Sequence, residues 1–116
     1  MRVFLKQIDI ACEAKLPMFL HNRETGGDFL DVMREHAPRI MKETRGAVVH
    51  SFDGSAEEAA ALISLGLYVG INGCSLKTDE NIKVAAGIPL SRLLLETDCP
   101  WCGIRRTHAG FKHIAT

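Results

Sequence analysis

Four short apolar runs, each ending in a polar residue, constrain the fold of this chain more than any other feature. Leu16-Pro17-Met18-Phe19-Leu20 runs into His21, and Ala47-Val48-Val49 into His50. Tyr68-Val69-Gly70-Ile71 runs into Asn72, and Leu93-Leu94-Leu95 into Glu96-Thr97-Asp98. The runs are continuous instead of alternating, the pattern of strands covered on both faces of a parallel sheet. Parallel neighbours need crossovers, and helical periods fill the gaps. Phe4, Leu5, Ile8, Ala11 and Cys12 predict a helix over residues 2–14. Phe29, Met33, Ala37 and Ile40 give the next, with Pro38 expected to kink or break it. Ser55 followed by Glu58 reads as a capping box opening a helix through Leu65, and Thr78 caps a helix to about Ala86. After Asp98 the periodicity is lost. The class is α/β.

The spacing narrows the architecture. The run ends at His21, His50, Asn72 and Asp98 are 29, 22 and 26 residues apart. A TIM-type (β/α)8 barrel of about 250 residues averages roughly 31 per unit. An open doubly wound sheet has similar periods, but no glycine-rich phosphate turn of either common type is present. The chain therefore reads as about four βα units of a TIM-type barrel, truncated at both ends. Its 116 residues are expected to form a single partial barrel without separate domains.

Composition excludes several classes. Fourteen Lys+Arg balance 14 Asp+Glu, which argues against a uniformly basic nucleic-acid coat and an acidic disordered tail. The most apolar stretch, Ala59 to Ile71, has 13 residues, whereas a spanning helix needs about 20, so no membrane partner is expected. Residues 1–7 lack the apolar core of a signal peptide. Cys12, Cys74, Cys99 and Cys102 are accordingly read as reduced thiols, and the location as intracellular, nuclear or cytoplasmic.

The chemistry sits at the run ends. In α/β barrels and sheets the carboxyl ends of the strands carry the active site, because the following loops converge there. A single His after a strand is ordinarily a satisfied loop residue. Here His21, His50 and the Glu96–Asp98 segment occupy the same structural position after three strands, and two imidazoles with a carboxylate suit a divalent cation. His36 and His113 read as surface or packing residues, and His108 is left open. Cys99-Pro100-Trp101-Cys102 has the spacing of a thiol–disulfide redox motif. It follows the last strand instead of an early one, however, and no second Cys pair completes a zinc site.

Four segments carry a family resemblance. Met18-Phe19-Leu20-His21-Asn22-Arg23, Val48-Val49-His50-Ser51-Phe52-Asp53-Gly54, Ile71-Asn72-Gly73-Cys74-Ser75-Leu76-Lys77 and Leu95-Glu96-Thr97-Asp98-Cys99-Pro100-Trp101 resemble successive motifs of the TatD-related deoxyribonucleases. The Asn72–Thr78 stretch and the Trp101-Cys102-Gly103…Thr107-His108-Ala109-Gly110 tail resemble the eukaryotic type most. The resemblance implies a metal-dependent hydrolase that cuts DNA phosphodiester bonds with two divalent ions (Mg, Mn or Zn). His21 and His50 would hold one ion, and Asp98 the other while taking the proton of the attacking water. Arg23 would face the substrate phosphate.

Two family features are absent: the His-x-His pair of the first strand and the Gly-Glu-x-Gly-Leu-Asp-like segment that supplies a bridging Glu. Asn22 and Cys99 stand where Cys and Ala are commoner. The expectation is a DNase half-site with little activity of its own. The alternative is a non-catalytic half-barrel that binds a partner or self-associates, since four strands leave two unpaired edges. Arg23, Lys77, Arg105 and Arg106 fall on loops with Glu24, Asp53 and Asp79, so solvated loop charge is the default reading there. Arg105 and Arg106 with Trp101 have the composition that grips a phosphate and stacks a base.

Overall fold

The computed structural model describes residues 1–114. Four parallel strands, β1 (Met18–His21), β2 (Ala47–His50), β3 (Tyr68–Ile71) and β4 (Leu93–Leu95), lie in sequential order. Their register pairs His21 with His50, Val49 with Val69 and Ile71 with Leu95. Helices α1 (Arg2–Ala14), α2 (Asp28–Glu43), α3 (Ala56–Ser64) and α4 (Asp79–Ala86) precede and connect the strands. Sequential order with one helical crossover per step is the construction rule of a (β/α)8 barrel, and four of its units are present.

Alternation along the strands decides what each sheet face does. Met18, Leu20, Ala47, Val49, Val69 and Ile71 are buried and pack in one core with Ile8 and Cys12 of α1, Val32, Met33 and Ile40 of α2, and Leu62 of α3. The residues between them, Phe19, Val48 and Gly70, point to the opposite face, which in a closed barrel is the interior. Phe19 is 67% exposed and Leu94 43% exposed. Val48 therefore faces the interior, whereas Met18, Leu20 and Val69 are covered by helices. Leu95 shares the helix-covered parity with Ile71 yet is 83% exposed.

Local details depart from sequence expectation in four places. Helix α2 runs unbroken through Pro38. The proline ring is exposed there, so the carbonyl one turn back that loses its donor can be hydrated. Ser55 caps α3 by accepting from the Glu58 N–H at 3.1 Å, but the reciprocal half of the capping box is missing. The Glu58 carboxylate instead accepts a 2.6 Å hydrogen bond from the Asn22 amide, tying the loop after β1 to α3. The segment after β4 is not wholly irregular: it ends in a single helical turn, α5 (Phe111–Ile114). Cys74 and Cys102 are joined as a disulfide, with Cα atoms 5.3 Å apart, so they are not the reduced thiols expected. Cys102 thus bonds to Cys74 and not to Cys99, which removes the redox reading of the C-x-x-C motif.

Candidate active site

The carboxyl ends of β1 and β2 bring two imidazoles together. His21 and His50 are register partners on the interior face, and His21 Nδ1 lies 2.9 Å from His50 Nε2. The His50 ring also stacks on Phe19, with centroids 4.4 Å apart and planes at 26°. Its remaining nitrogen, Nδ1, faces the Glu96 carboxylate at 3.6 Å. These two side chains are 12% and 15% exposed, so the pair sits in a partly desolvated niche.

Glu96 reaches that position across β3. It follows β4 directly, and its backbone N–H donates to Ile71 O, extending the ladder by one residue. Its side chain then crosses Gly70 and accepts a hydrogen bond from the Ser51 N–H. A Cβ on Gly70 would stand 2.9 Å from Glu96 Oε1 and 3.2 Å from the Cα of His50. Only the missing side chain at Gly70 leaves room for the carboxylate. Ser51, the N–H donor, has a positive φ of 51°. Its hydroxyl accepts from the Asn72 amide, and the Asn72 side-chain oxygen accepts from the Cys74 N–H at 2.9 Å. The polar residues after β2, β3 and β4 thus form one connected network. Glu96, Ser51 and Asn72 were not singled out as site residues in the sequence. Glu96 stood in the last run end, but nothing in its spacing showed which way it would reach.

Asp98 lies beyond this network. It is exposed, three residues past the end of β4, and its carbonyl accepts from the Trp101 and Cys102 N–H groups at 2.7 and 3.2 Å. That turn carries its carboxylate to 3.8 Å from Cys102 Sγ. Arg23 is exposed and lines a cleft of about 320 Å³ with Asn22, Glu24, Phe52, Asp53 and Glu58. His36 lies 3.8 Å from Glu35 on α2, and His108 Nδ1 accepts from the Arg105 N–H at 3.3 Å, closing a loop turn. The side chain of His113 lies outside the described residues.

A divalent cation tests the histidine pair. Two nitrogens held by one tetrahedral ion at about 2.05 Å each stand roughly 3.3 Å apart, so the observed spacing needs only a few tenths of an ångström of opening. A carboxylate behind the outer nitrogen of a ligating imidazole is the usual arrangement for fixing its tautomer. The pair therefore fits a cation by donor chemistry and spacing. Among the described residues, however, no three His, Cys, Asp or Glu side chains are gathered for a metal.

Four sequential parallel strands with imidazole and carboxylate groups at their carboxyl ends define a segment of a (β/α)8 barrel. Comparison with known proteins gives the particular family. The family described as TatD related DNase matches residues 1–112, and the chain belongs to that family. "Deoxyribonuclease Tat-D" of Schizosaccharomyces pombe is 47% identical over 113 residues, 97% of this chain and 35% of the relative. The "3'-5' ssDNA/RNA exonuclease TatD" of Pantoea sp. is 38% identical over 108 residues, 90% of this chain and 40% of the relative. The crystal structure of an uncharacterized amidohydrolase from Saccharomyces cerevisiae superposes with a TM-score of 0.83 at 38% identity, covering 97% of this chain and 38% of that one. The chain thus spans little more than a third of the length of these relatives.

Proposed function

We propose that this chain supplies the second half of the active site of a divalent-metal-dependent deoxyribonuclease. The observation that carries the reading is the His21–His50 pair, its nitrogens 2.9 Å apart at the ends of adjacent parallel strands. His21 and His50 would hold one ion, and Asp98 would serve the second. Such an ion, when bound, activates a water and neutralises the leaving oxygen. The chain's own residues do the rest. Glu96, anchored by the Ser51 N–H, would fix the tautomer of His50 so that Nε2 is left free to hold an ion. Arg23, exposed in the cleft after β1, meets a phosphate of the DNA. Asp98, exposed and carboxylate-bearing, takes the proton of the attacking water.

The resemblance implies further ligands, a His-x-His pair and a bridging Glu, that this chain does not contain. Its activity alone on DNA is therefore expected to be absent or very low with Mg²⁺ or Mn²⁺. Mixing it with the complementary part of the fission yeast relative tests the proposal. Single-strand cleavage should appear on mixing and vanish in His21→Ala and Asp98→Ala. Equal cleavage by the triple variant His21→Ala/His50→Ala/Asp98→Ala would refute it.

A second reading, self-association without catalysis, is favoured by the uncovered interior face. Exposing about two-thirds of a Phe of roughly 200 Å² forgoes ~3 kcal/mol at about 25 cal/mol per Å². The outer edges of β1 and β4 also offer unpaired backbone groups. Sedimentation at micromolar concentration decides this reading: oligomers support it, and a cooperatively unfolding monomer refutes it.

A further inference from the structure

Trp101 is the sole tryptophan of the chain, and it is 80% exposed. It takes no part in the core. Its backbone is nevertheless held firmly: the N–H donates to Asp98 O at 2.7 Å, and the next residue is tied through the disulfide to Cys74. Gly73 lets the Cys102 backbone lie directly against the turn after β3, where any side chain would collide. The far end of the same loop is fastened by Ala109 and Gly110, whose N–H groups donate to Lys77 O and Leu76 O at 3.0 Å each. Between these anchors the Arg105–His108 turn is closed by two hydrogen bonds.

The charge of the loop differs from that of the chain. Residues 99–112 include Arg105, Arg106 and Lys112 and no acidic residue, in a protein whose net charge is +0. Arg105, Arg106 and Lys77, on the turn it packs against, are all exposed. A large, rigid π-surface left in water on a loop that also carries cations is the combination that binds single-stranded nucleic acid: bases stack, and the backbone is neutralised. A duplex, whose bases are already stacked, offers no such face to a flat ring.

We infer that Trp101 is a stacking platform for an unpaired base of single-stranded DNA, seated beside Asp98, with Arg105 and Arg106 contacting the adjoining phosphates. The inference rests on the nuclease reading above and adds to it the ring that orients the strand. Base stacking of this kind is worth between about fivefold and 150-fold in affinity.

The lone indole makes the test direct. The 116-residue chain is titrated in EDTA with a 12-nucleotide single-stranded DNA, its abasic counterpart and a blunt duplex. Tryptophan emission and the anisotropy of a labelled strand are read together. The base-bearing strand should quench Trp101 and bind at least fivefold tighter than the abasic strand, and the duplex should not quench. Trp101→Ala should abolish that preference, Trp101→Phe should restore part of it, and Arg105→Gln/Arg106→Gln should weaken both single strands alike. Binding without quenching, equal affinity for base-bearing and abasic strands, or no binding at all would each overturn the platform. The nuclease reading is judged separately by cleavage in the mixed preparation. Cleavage there without any effect of Trp101→Ala on KM would overturn the platform alone.

Discussion

Gly70→Ala isolates the contact on which the site geometry depends. The added methyl would sit 2.9 Å from Glu96 Oε1, 3.2 Å from Glu96 Cδ and 3.2 Å from the Cα of His50. The His50 Cα belongs to a strand paired on both sides and cannot retreat, so the Glu96 carboxylate must. Leaving its place breaks the bond from the Ser51 N–H, and a hydrogen bond to a charged acceptor is worth about 1.5–3 kcal/mol. Gly70 has no positive φ, so backbone strain adds nothing. The expected loss is therefore ~2 kcal/mol, read in urea as a midpoint lower by about 1 M at unchanged slope. The control is a double-mutant cycle. Once Glu96→Ala has removed the carboxylate, the Gly70 methyl meets only the His50 Cα, and coupling of about 1 kcal/mol or more is expected. Stability within about 0.5 kcal/mol of the parent for Gly70→Ala, or strict additivity with Glu96→Ala, would refute this account of how Glu96 is held.

Other outcomes follow from separate contacts. Ser55→Ala removes the side-chain cap of α3 and should cost about 1 kcal/mol in urea unfolding, whereas Glu58→Gln, which leaves the cap in place, should cost less. Cys74→Ser opens a bridge between residues 28 apart, and loop entropy sets the expected loss at about 3–4 kcal/mol in thermal or urea unfolding. The Asp9 carboxyl is held below its ordinary range chiefly by its hydrogen bond from Arg39, 2.6 Å away across α1 and α2. A depressed folded-state value means that this contribution is present above the unfolded carboxylate pKa of about 3.9 and is lost as pH falls through the lower folded value. Asp9→Asn should therefore flatten the acid limb of stability against pH and leave the neutral-to-basic limb unchanged.

The fold was largely legible because parallel strands buried on both faces leave continuous apolar runs, and each helix carries its own stripe. The ends of β1 and β2 fell at His21 and His50 as the runs implied. The last strand proved shorter than its run: β4 stops at Leu95, and Glu96 turns its side chain across Gly70 while Asp98 enters a turn. A three-residue stretch of Glu, Thr and Asp does not disclose which carboxylate turns toward the histidines, since that depends on a glycine in a neighbouring strand. The Cys74–Cys102 bridge was equally hidden, because it joins two loops that only the folded chain brings together. Pro38 does not break α2 for a local reason: its exposed position lets water take over the freed carbonyl, a matter of burial that the residue type does not reveal.

The central claim is that His21 and His50 together receive a divalent cation, with Glu96 setting the tautomer of His50. Long-range ¹H–¹⁵N spectra of the five imidazoles during a Zn²⁺ titration test it most directly. The account predicts that the signals of His21 and His50 move together, with His50 bound through Nε2, at an affinity weakened by the lack of a gathered third ligand. Glu96→Gln should lower that affinity by a further tenfold to hundredfold. Zinc-dependent shifts confined to His36, His108 or His113, or binding that survives His21→Ala undiminished, would contradict it.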